Sequence, residues 1–284
     1  MRYFDLHCDT LTEIYKRKTT LAASGCAVSY DRCGFSEYKQ AFAIFIPDEL
    51  KGDEATKYFK AVAKYAVETG GIRDGFITVE NGNMLAGNLD NLELLRQYDV
   101  KMFGLCWNGQ NELCGGAGTD IGLSGFGNRV ITELEKMGIV VDVSHTSDRA
   151  LYDVLDMVTK PVAASHSNAR GVCSHRRNLD NRALKKLFSS GGLCGINFYP
   201  LFLGEGDVFE RIYAHISYML DLGGEHSIAI GADFDGADMD EKLMAIDSVP
   251  DLYYSLQCRG ISDKTLDDIF FNNADAFFRR GEFS

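Results

Sequence analysis

The 284-residue sequence has only four prolines and one tryptophan, and no low-complexity linker or block of like charge divides it. No run approaches the roughly 18 consecutive apolar residues of a transmembrane helix. Residues 1–7 lack the apolar stretch of a signal peptide, and the last residues do not form a lipid-anchor signal. We therefore expect a single domain over residues 1–284, in a cytoplasmic protein with no membrane partner.

Basic residues are few as well, since 29 Lys and Arg stand against 41 Asp and Glu and give a net charge of −12. So acidic a chain repels nucleic-acid phosphates and anionic lipid surfaces, so we expect no nucleic-acid partner. The eight cysteines are scattered without a Cys-x-x-Cys pair, which predicts buried thiols in a reducing compartment.

What the sequence does contain is an alternation of strand-like and helix-like segments. Eight short apolar runs recur about every 35 residues, the length of a strand–helix unit. These runs are Tyr3–His7, Ala41–Ile46, Gly75–Glu80, Lys101–Trp107, Gly138–His145, Pro161–His166, Gly192–Tyr199 and Ser227–Asp233. Helical patterns cover Glu54–Glu68, Leu89–Gln97, Gly127–Met137, Asp148–Met157, Asn181–Phe188, Val208–Leu222 and Asp263–Phe278. The order predicts an α/β fold, a (β/α)8 TIM barrel.

Two details of this pattern refine the prediction. Ser147 and Ser262 each precede an acidic first turn and are predicted helix N-caps. The Gly-rich, polar stretch Gly104–Gly127 is too long for an ordinary strand–helix turn. Long loops in compact domains are often functional, so we expect this one to lie on the active-site face.

Five potential metal ligands lie at or beside the carboxyl ends of predicted strands: His7, Asp9, Glu80, His145 and His166. In a TIM barrel these strand ends form the active-site face, so residues far apart in the chain are expected to meet there. His7 and Asp9 are two apart, which on a strand points both to one face. They can hold one divalent cation, His145 and His166 a second, and Glu80 can bridge the two.

Such a bridged pair of cations lowers the pKa of a shared water and makes hydroxide available near neutral pH. Mixed imidazole and carboxylate ligands favour two zinc ions, with manganese, cobalt or iron as alternatives. A single histidine on a strand is more often a core residue, but several histidines at strand ends together favour a metal site. The sequence therefore predicts a metal-dependent hydrolase.

Charged residues at two further strand ends suggest roles beside the metals. Asp233 ends the eighth strand and can carry a proton from the attacking water to a leaving amine; Asp235, two residues further on, is the weaker candidate. Arg177 follows the sixth strand and can clamp a substrate carboxylate with two hydrogen bonds. An exposed arginine in a basic turn is the alternative interpretation.

Taken in order, these motifs resemble those of the membrane (renal-type) dipeptidases, peptidase family M19, a branch of the amidohydrolase-like metal barrels. The resemblance covers essentially the whole chain. It rests on Asp-x-His-x-Asp at 5–9, the strand-ending Glu80, Ser-His-Thr-Ser at 144–147, Ser-His-Ser at 165–167, Arg-Arg-Asn at 176–178 and Gly-x-Asp-Phe-Asp-Gly at 231–236.

The resemblance implies that Glu80 bridges two zinc ions and takes part in catalysis, and that Asp233 is the catalytic acid. Arg177 and Tyr199 would bind the C-terminal carboxylate of a dipeptide. Animal members have a histidine after the fourth strand, where this chain has Trp107 and Asn108. That histidine's role does not carry over, and Trp107 and Asn108 are expected to contact the substrate instead, Trp107 as a pocket wall.

The implied activity is zinc-dependent hydrolysis of dipeptides, L-Xaa-L-Xaa and also L-Xaa-D-Xaa, to free amino acids by a bridging metal-bound hydroxide. The resemblance also implies a homodimer. Two alternatives stay open: an amidohydrolase-type enzyme acting on a lactone, cyclic amide or phosphoester, and a metal-dependent binding protein without catalysis. The presence of all five ligands together with Asp233 argues against lost catalysis.

Overall fold

The computed structural model describes residues 1–281, in which eight parallel strands form a closed barrel in sequence order. The strands are β1 Arg2–Cys8, β2 Glu37–Phe45, β3 Gly75–Glu80, β4 Met102–Gly104, β5 Val140–Asp142, β6 Ala163–Ala164, β7 Leu193–Ile196 and β8 Ile228–Ile230. β8 closes onto β1, with Asp5 opposite Ile230. The predicted TIM barrel is confirmed; residues 282–284 of the predicted domain lie outside the described residues.

Helices follow most of the strands. They are α1 Thr10–Arg17, α2 Asp53–Tyr65, α3 Glu93–Gln97, α4 Gly125–Met137, α5 Asp148–Met157, α6 Asn181–Ser189, α7 Pro200–Leu203, α8 Val208–Asp221, α9 Val249–Cys258, α10 Asp263–Asp267 and α11 Asn273–Phe278. Both predicted N-caps are confirmed, because Ser147 Oγ accepts the N–H of Ala150 and Ser262 Oγ that of Thr265. In the described part of the chain, none of these helices combines the length and apolar character needed to cross a bilayer.

Buried apolar side chains pack together inside the barrel. One buried residue or more comes from most strands, and α11 adds to the same cluster: Phe4, Leu6, Ala41, Met102, Val140, Ala163, Leu193, Ala229, Ala274 and Phe277. Burying each large apolar side chain contributes roughly 1.5–3 kcal/mol to folding. A packed interior leaves the carboxyl ends of the strands as the place for polar chemistry.

Several strands are shorter than the sequence predicts. β5 to β8 end two or three residues before the site residues expected to close them. His145 and Asp233 have φ of 68° and 70°, a left-handed conformation that no strand contains. The functional side chains after β5 to β8 therefore lie on the first residues of loops, whereas His7 and Glu80 lie within β1 and β3.

The side chains of His7 and Asp9 meet as expected, but strand alternation is not the reason. Pairing of β1 with β2 shifts register between Asp5 and Cys8, which interrupts the alternation. Asp9 has left the strand and is the residue that precedes helix α1, with φ −95° and ψ 14°. The bulge and the start of the helix, not the pleat, bring the two side chains together.

His215 on α8 is fully buried and predicts a pH dependence of stability. Its Nδ1 accepts the N–H of Ala169 at 3.2 Å, and its Nε2 donates to the carbonyl of Leu203 at 3.1 Å. The Nδ1 contact requires the neutral ring, because a protonated Nδ1 cannot accept, and burial, with a smaller effect from Arg211, lowers the pKa of His215 to about 4. The unfolded chain takes up this proton below a pH of about 6.5, so the free energy of unfolding falls by about 2 kcal/mol between pH 7 and pH 5.

Urea denaturation of the chelated protein at the two pH values checks this. The variant His215→Gln should lose about that much less stability on acidification, whereas His226→Gln, at an exposed position, should keep the wild-type loss. An equal loss in His215→Gln and wild type would show that other groups cause the acid sensitivity.

Candidate metal centre

Six buried side chains meet at the carboxyl end of the barrel: His7, Asp9, Glu80, His145, His166 and Asp233. They come from the ends of strands β1, β3, β5, β6 and β8 or from the loop residues that follow. All five predicted metal ligands and the predicted catalytic acid are therefore in one cluster.

Glu80 lies in the middle of this cluster. Its Oε2 is 3.4 Å from Nε2 of His7, and its Oε1 is 2.8 Å from Nε2 of His145 and 3.9 Å from Nε2 of His166. The same Nε2 atom of His7 is also 3.4 Å from Oδ2 of Asp9. One oxygen of the Glu80 carboxylate thus faces His7 and the other faces His145, which is the arrangement that a bridging residue needs.

Hydrogen bonds on the outer side of two rings fix which nitrogen carries a proton. His145 Nδ1 lies 3.1 Å from Oδ1 of Asn108. His166 Nδ1 lies 2.7 Å from Ser165 Oγ, whose own proton goes to Asp142 at 2.5 Å. Both Nδ1 atoms are therefore donors, and both Nε2 atoms point into the cluster as bare acceptors, the form in which imidazole binds a metal.

The cluster fits bound cations. The two bare Nε2 atoms of His145 and His166 are only 2.8 Å apart, a repulsion that a cation between them removes. Burial lowers the pKa of both rings well below the usual histidine range, which keeps them neutral. His7 Nε2 and Glu80 Oε2 are buried without a hydrogen-bond partner. Burial and the Asp9 carboxylate raise the pKa of Glu80 to about 8, a sign of buried acids that lack a counter-charge.

Two buried aspartates to which the sequence analysis assigned no role hold the strand ends in place. Asp142 Oδ1 accepts the N–H groups of Ser144 and Ser165, both at 2.9 Å, and so joins the ends of β5 and β6. Asp5 Oδ1 joins β1 to the end of β8 by accepting the N–H groups of His7 and Ala232. Each aspartate fixes the backbone that carries predicted ligands.

Removal of the Asp142 carboxylate should destabilise the fold strongly. Asp142→Ala leaves two buried N–H donors and the Ser165 hydroxyl without their acceptor, at about 1–3 kcal/mol each. We expect the free energy of unfolding in urea to fall by about 3 kcal/mol or more. Asp148→Ala, which breaks only a half-exposed pair with Arg170, should cost about 1 kcal/mol or less. Similar losses in the two variants would contradict the structural role of Asp142.

Asp233 lies at the edge of the cluster. Its Oδ1 is 3.7 Å from His7 Nε2, and its Oδ2 accepts a hydrogen bond from Asn197 at 3.0 Å. Burial raises the pKa of Asp233 to about 6. Gly236 lies directly against the Asp9 and Asp233 carboxylates, and a Cβ there would collide with both. Glycine at position 236 therefore lets the backbone lie directly against the two carboxylates.

Asp235, the weaker candidate for the proton carrier, lines the same cleft as Asp233, but its carboxylate bonds a different part of the chain. Its φ is 64°, and its carboxylate accepts hydrogen bonds from Thr10 Oγ1 and from the N–H groups of Ala27 and Val28. All of its acceptor contacts go to α1 and the loop after it. Asp235 therefore anchors that loop to the top of the barrel.

Arg177 is buried, at 5% exposure, beside the ligand cluster. Its Nη2 donates to the carbonyl of His166 at 3.2 Å, while its Nε is buried with no hydrogen-bond partner. It forms none of the ion pairs recorded for residues 1–281. The neighbouring Arg176 instead reaches the exposed Asp120 at 3.6 Å. A buried guanidinium with a free donor is ready for an anionic ligand.

A cleft of about 680 Å³ opens onto the cluster, a size typical of sites for small molecules. Asp9, Glu80, His145 and Asp233 form part of its lining, and Trp107, Asn108 and Tyr199 do so as well, as expected from the sequence. Trp107 packs edge-on against Phe45 at 5.1 Å between ring centroids. Asn108 also bonds His145, a ligand-orienting contact that the sequence did not predict. Arg177 is not part of the lining.

Sequence reasoning missed two kinds of residue. Asp142, Ser165 and Asn197 support the cluster, and the aromatic Phe45 and Phe202 line the cleft. Ser165 and Asn197 are one and two residues from predicted site residues, so proximity was an available signal. Phe45 and Phe202 are aromatic residues among many, and only the path of the chain shows that they face the cleft.

Comparison with known proteins agrees with the geometry. Residues 60–280 match the family described as "Membrane dipeptidase (Peptidase family M19)". An uncharacterized Klebsiella pneumoniae protein is 30% identical over 209 residues, 69% of this chain and 77% of that protein. An uncharacterized dipeptidase of Schizosaccharomyces pombe is 32% identical over 200 residues, 67% of this chain and 49% of that protein. The chain thus spans about half the length of that dipeptidase.

Solved structures share the whole fold. A dipeptidase described as a metallopeptidase of family M19 superposes with a TM-score of 0.90 at 22% identity, over 100% of this chain and 99% of that one. A metallopeptidase from Rhodobacter sphaeroides, solved with a phosphinate mimic of the dipeptide L-Ala-D-Ala, gives 0.88 at 22% identity over 99% of both chains. At this identity the likeness establishes the fold.

Proposed function

This chain belongs to the membrane dipeptidase family, peptidase family M19, and on that premise we propose that it hydrolyses dipeptides to two free amino acids with two zinc ions. Membership places it among the metal-dependent dipeptidases. The observation that carries the proposal is the buried Arg177, with its unpaired Nε, beside a cluster of buried metal-type ligands. Such a site joins a carboxylate anchor to hydrolytic chemistry.

We divide the residues between the two cations as the family resemblance implies, although the ligand atoms of His7, Glu80 and His166 also lie within 4.8 Å of one another. His7 and Asp9 would hold one, His145 and His166 the other, and Glu80 would bridge them through its two oxygens. When bound, the cations would polarise the peptide carbonyl and lower the pKa of the attacking water. Imidazole and carboxylate ligands suit zinc best, which is why we propose zinc.

The remaining residues bind the dipeptide and move its proton. Arg177, with Tyr199, would hold the C-terminal carboxylate and so limit the substrate to two residues. Asp233, held by Asn197, would take a proton from the attacking water and deliver it to the departing nitrogen. Trp107 forms a wall of the cleft, and Asn108 keeps the His145 ring oriented.

Amino-acid release from L-Ala-L-Ala, L-Ala-D-Ala and L-Ala-L-Ala-L-Ala tests the proposal. The enzyme would be assayed as purified, after chelation, and after zinc is restored, with metal content measured each time. We expect cleavage of both dipeptides, no cleavage of the tripeptide, loss on chelation and recovery at two zinc ions per chain. Enzyme that carries two metals per chain and cleaves no dipeptide would sink the proposal and direct the search to lactones and cyclic amides.

Two expectations from the sequence stay predictions. The cytoplasmic location is to be read from cell fractionation, and the homodimer from the molecular mass in solution.

A further inference from the structure

Phe202, on the short helix α7, lines the cleft and also contacts Arg177. Its ring lines the cleft, and the guanidinium carbon of Arg177 lies over that ring, 5.3 Å from the centroid. A guanidinium is planar and donates its hydrogen bonds within its own plane. The unpaired donor is Nε, so a ligand that accepts from it lies in the guanidinium plane, close to the Phe202 ring.

Contacts on several sides hold the Phe202 ring in place. The Tyr199 ring stands perpendicular to it at 4.9 Å between centroids, and the His175 ring packs against it at 4.6 Å. The backbone oxygen of Phe202 accepts a hydrogen bond from Asn178 Nδ2 at 2.8 Å. The backbone bond fixes the position of the residue, and moving the ring aside would break its contacts with Tyr199 and His175, so Phe202 acts as a fixed wall of the cleft.

We propose that Phe202 sets the size limit for the C-terminal side chain of the dipeptide. The inference rests on the proposed function, in which Arg177 binds the C-terminal carboxylate. The α-carbon of that residue is bonded directly to the carboxylate, so its side chain begins beside the guanidinium edge and meets the ring. Hydrogen or methyl fits there, whereas a leucine or phenylalanine side chain overlaps the ring.

The experiment measures kcat/KM for Ala-Gly, Ala-Ala, Ala-Leu and Ala-Phe, in whichever C-terminal configuration the wild-type enzyme cleaves faster. We expect wild type to prefer Ala-Ala over Ala-Leu by at least about tenfold, in the range that a shaped pocket achieves. In Phe202→Ala that preference should fall below about threefold. Loss of folded enzyme lowers both values equally and leaves their ratio unchanged, so the ratio reports the wall alone.

Phe45→Ala is the matched control, because it removes the same ring volume from another part of the same cleft, against Trp107. Its ratio for Ala-Ala over Ala-Leu should stay at the wild-type value. An unchanged ratio in Phe202→Ala, an equal change in Phe45→Ala, or a wild-type ratio near one would overturn the inference. If wild type cleaves no dipeptide at all, both the proposed function and this inference fail. If wild type cleaves Ala-Gly but shows no size preference, only the inference fails.

Discussion

Replacing Asp233 by asparagine is expected to lower kcat by about 10²- to 10⁴-fold, the range that a positioned proton carrier contributes. Asparagine has the same shape, and its amide oxygen can still accept the hydrogen bond that Asn197 gives to Asp233. It cannot take up and deliver a proton at neutral pH. The loss should therefore appear in kcat, with KM for L-Ala-L-Ala changed by less than about threefold.

Metal content separates this role from ligation, since Asp233 also lies near His7 and Asp9 as a potential ligand. If Asp233 carries the proton, Asp233→Asn should bind the same two metals per chain as wild type. Asp235→Asn is the control, because its carboxylate contacts Thr10 and the 27–28 backbone; it should lose stability and at most about tenfold in kcat. A variant of Asp233 that lost a metal in proportion to its activity would assign it to ligation instead.

Regular elements were predictable where local sequence signals were strong. β3, Gly75–Glu80, and α5, Asp148–Met157, have the bounds that the sequence predicts. β3 is an apolar run that ends at a charged residue, and α5 starts after the Ser147 N-cap. Both signals act within a few residues, so no tertiary information is needed to read them.

The helices that the sequence did not predict lack such signals. α1, Thr10–Arg17, is short, and only Leu11 and Ile14 mark its buried aliphatic face. α9, Val249–Cys258, has a proline in its first turn, and a proline is equally typical of a loop. α1 packs on β2 and α9 packs on helices α8 and α10, and a single-sequence pattern does not contain such contacts.

The ligand cluster was predictable because chemistry and topology coincide in it. Histidines and acids at strand ends meet in any closed parallel barrel, whatever the loops do. The aromatic residues Phe45 and Phe202, which line the cleft, were not predictable. They reach it through β2 and through the short helix α7 that starts at Pro200. Asp235 shows the same limit, since the sequence does not predict the positive φ at that position or the hydrogen bonds that hold its carboxylate to Thr10, Ala27 and Val28.

Replacing Arg177 by methionine is expected to lower kcat/KM for dipeptides by about 30- to 1,000-fold, mainly through KM. A buried guanidinium that binds a carboxylate contributes about 2–4 kcal/mol to such recognition. Methionine preserves much of the side-chain volume against Phe202 while removing the charge and every donor. The loss should therefore reflect binding of the substrate's charge more than a collapse of the cleft.

The C-terminal amide of the same dipeptide makes this test specific. Wild type should cleave L-alanyl-L-alanine amide far less well than L-Ala-L-Ala, since a neutral group leaves the guanidinium without a counter-charge. In Arg177→Met the ratio of acid to amide should fall toward one, and Arg177→Lys should lie between, because lysine keeps the charge but not the planar fork. Arg176→Met removes the adjacent exposed arginine and should keep the wild-type ratio. A wild-type ratio in Arg177→Met would assign the carboxylate to another group, because discrimination between acid and amide requires a charge that the variant no longer has.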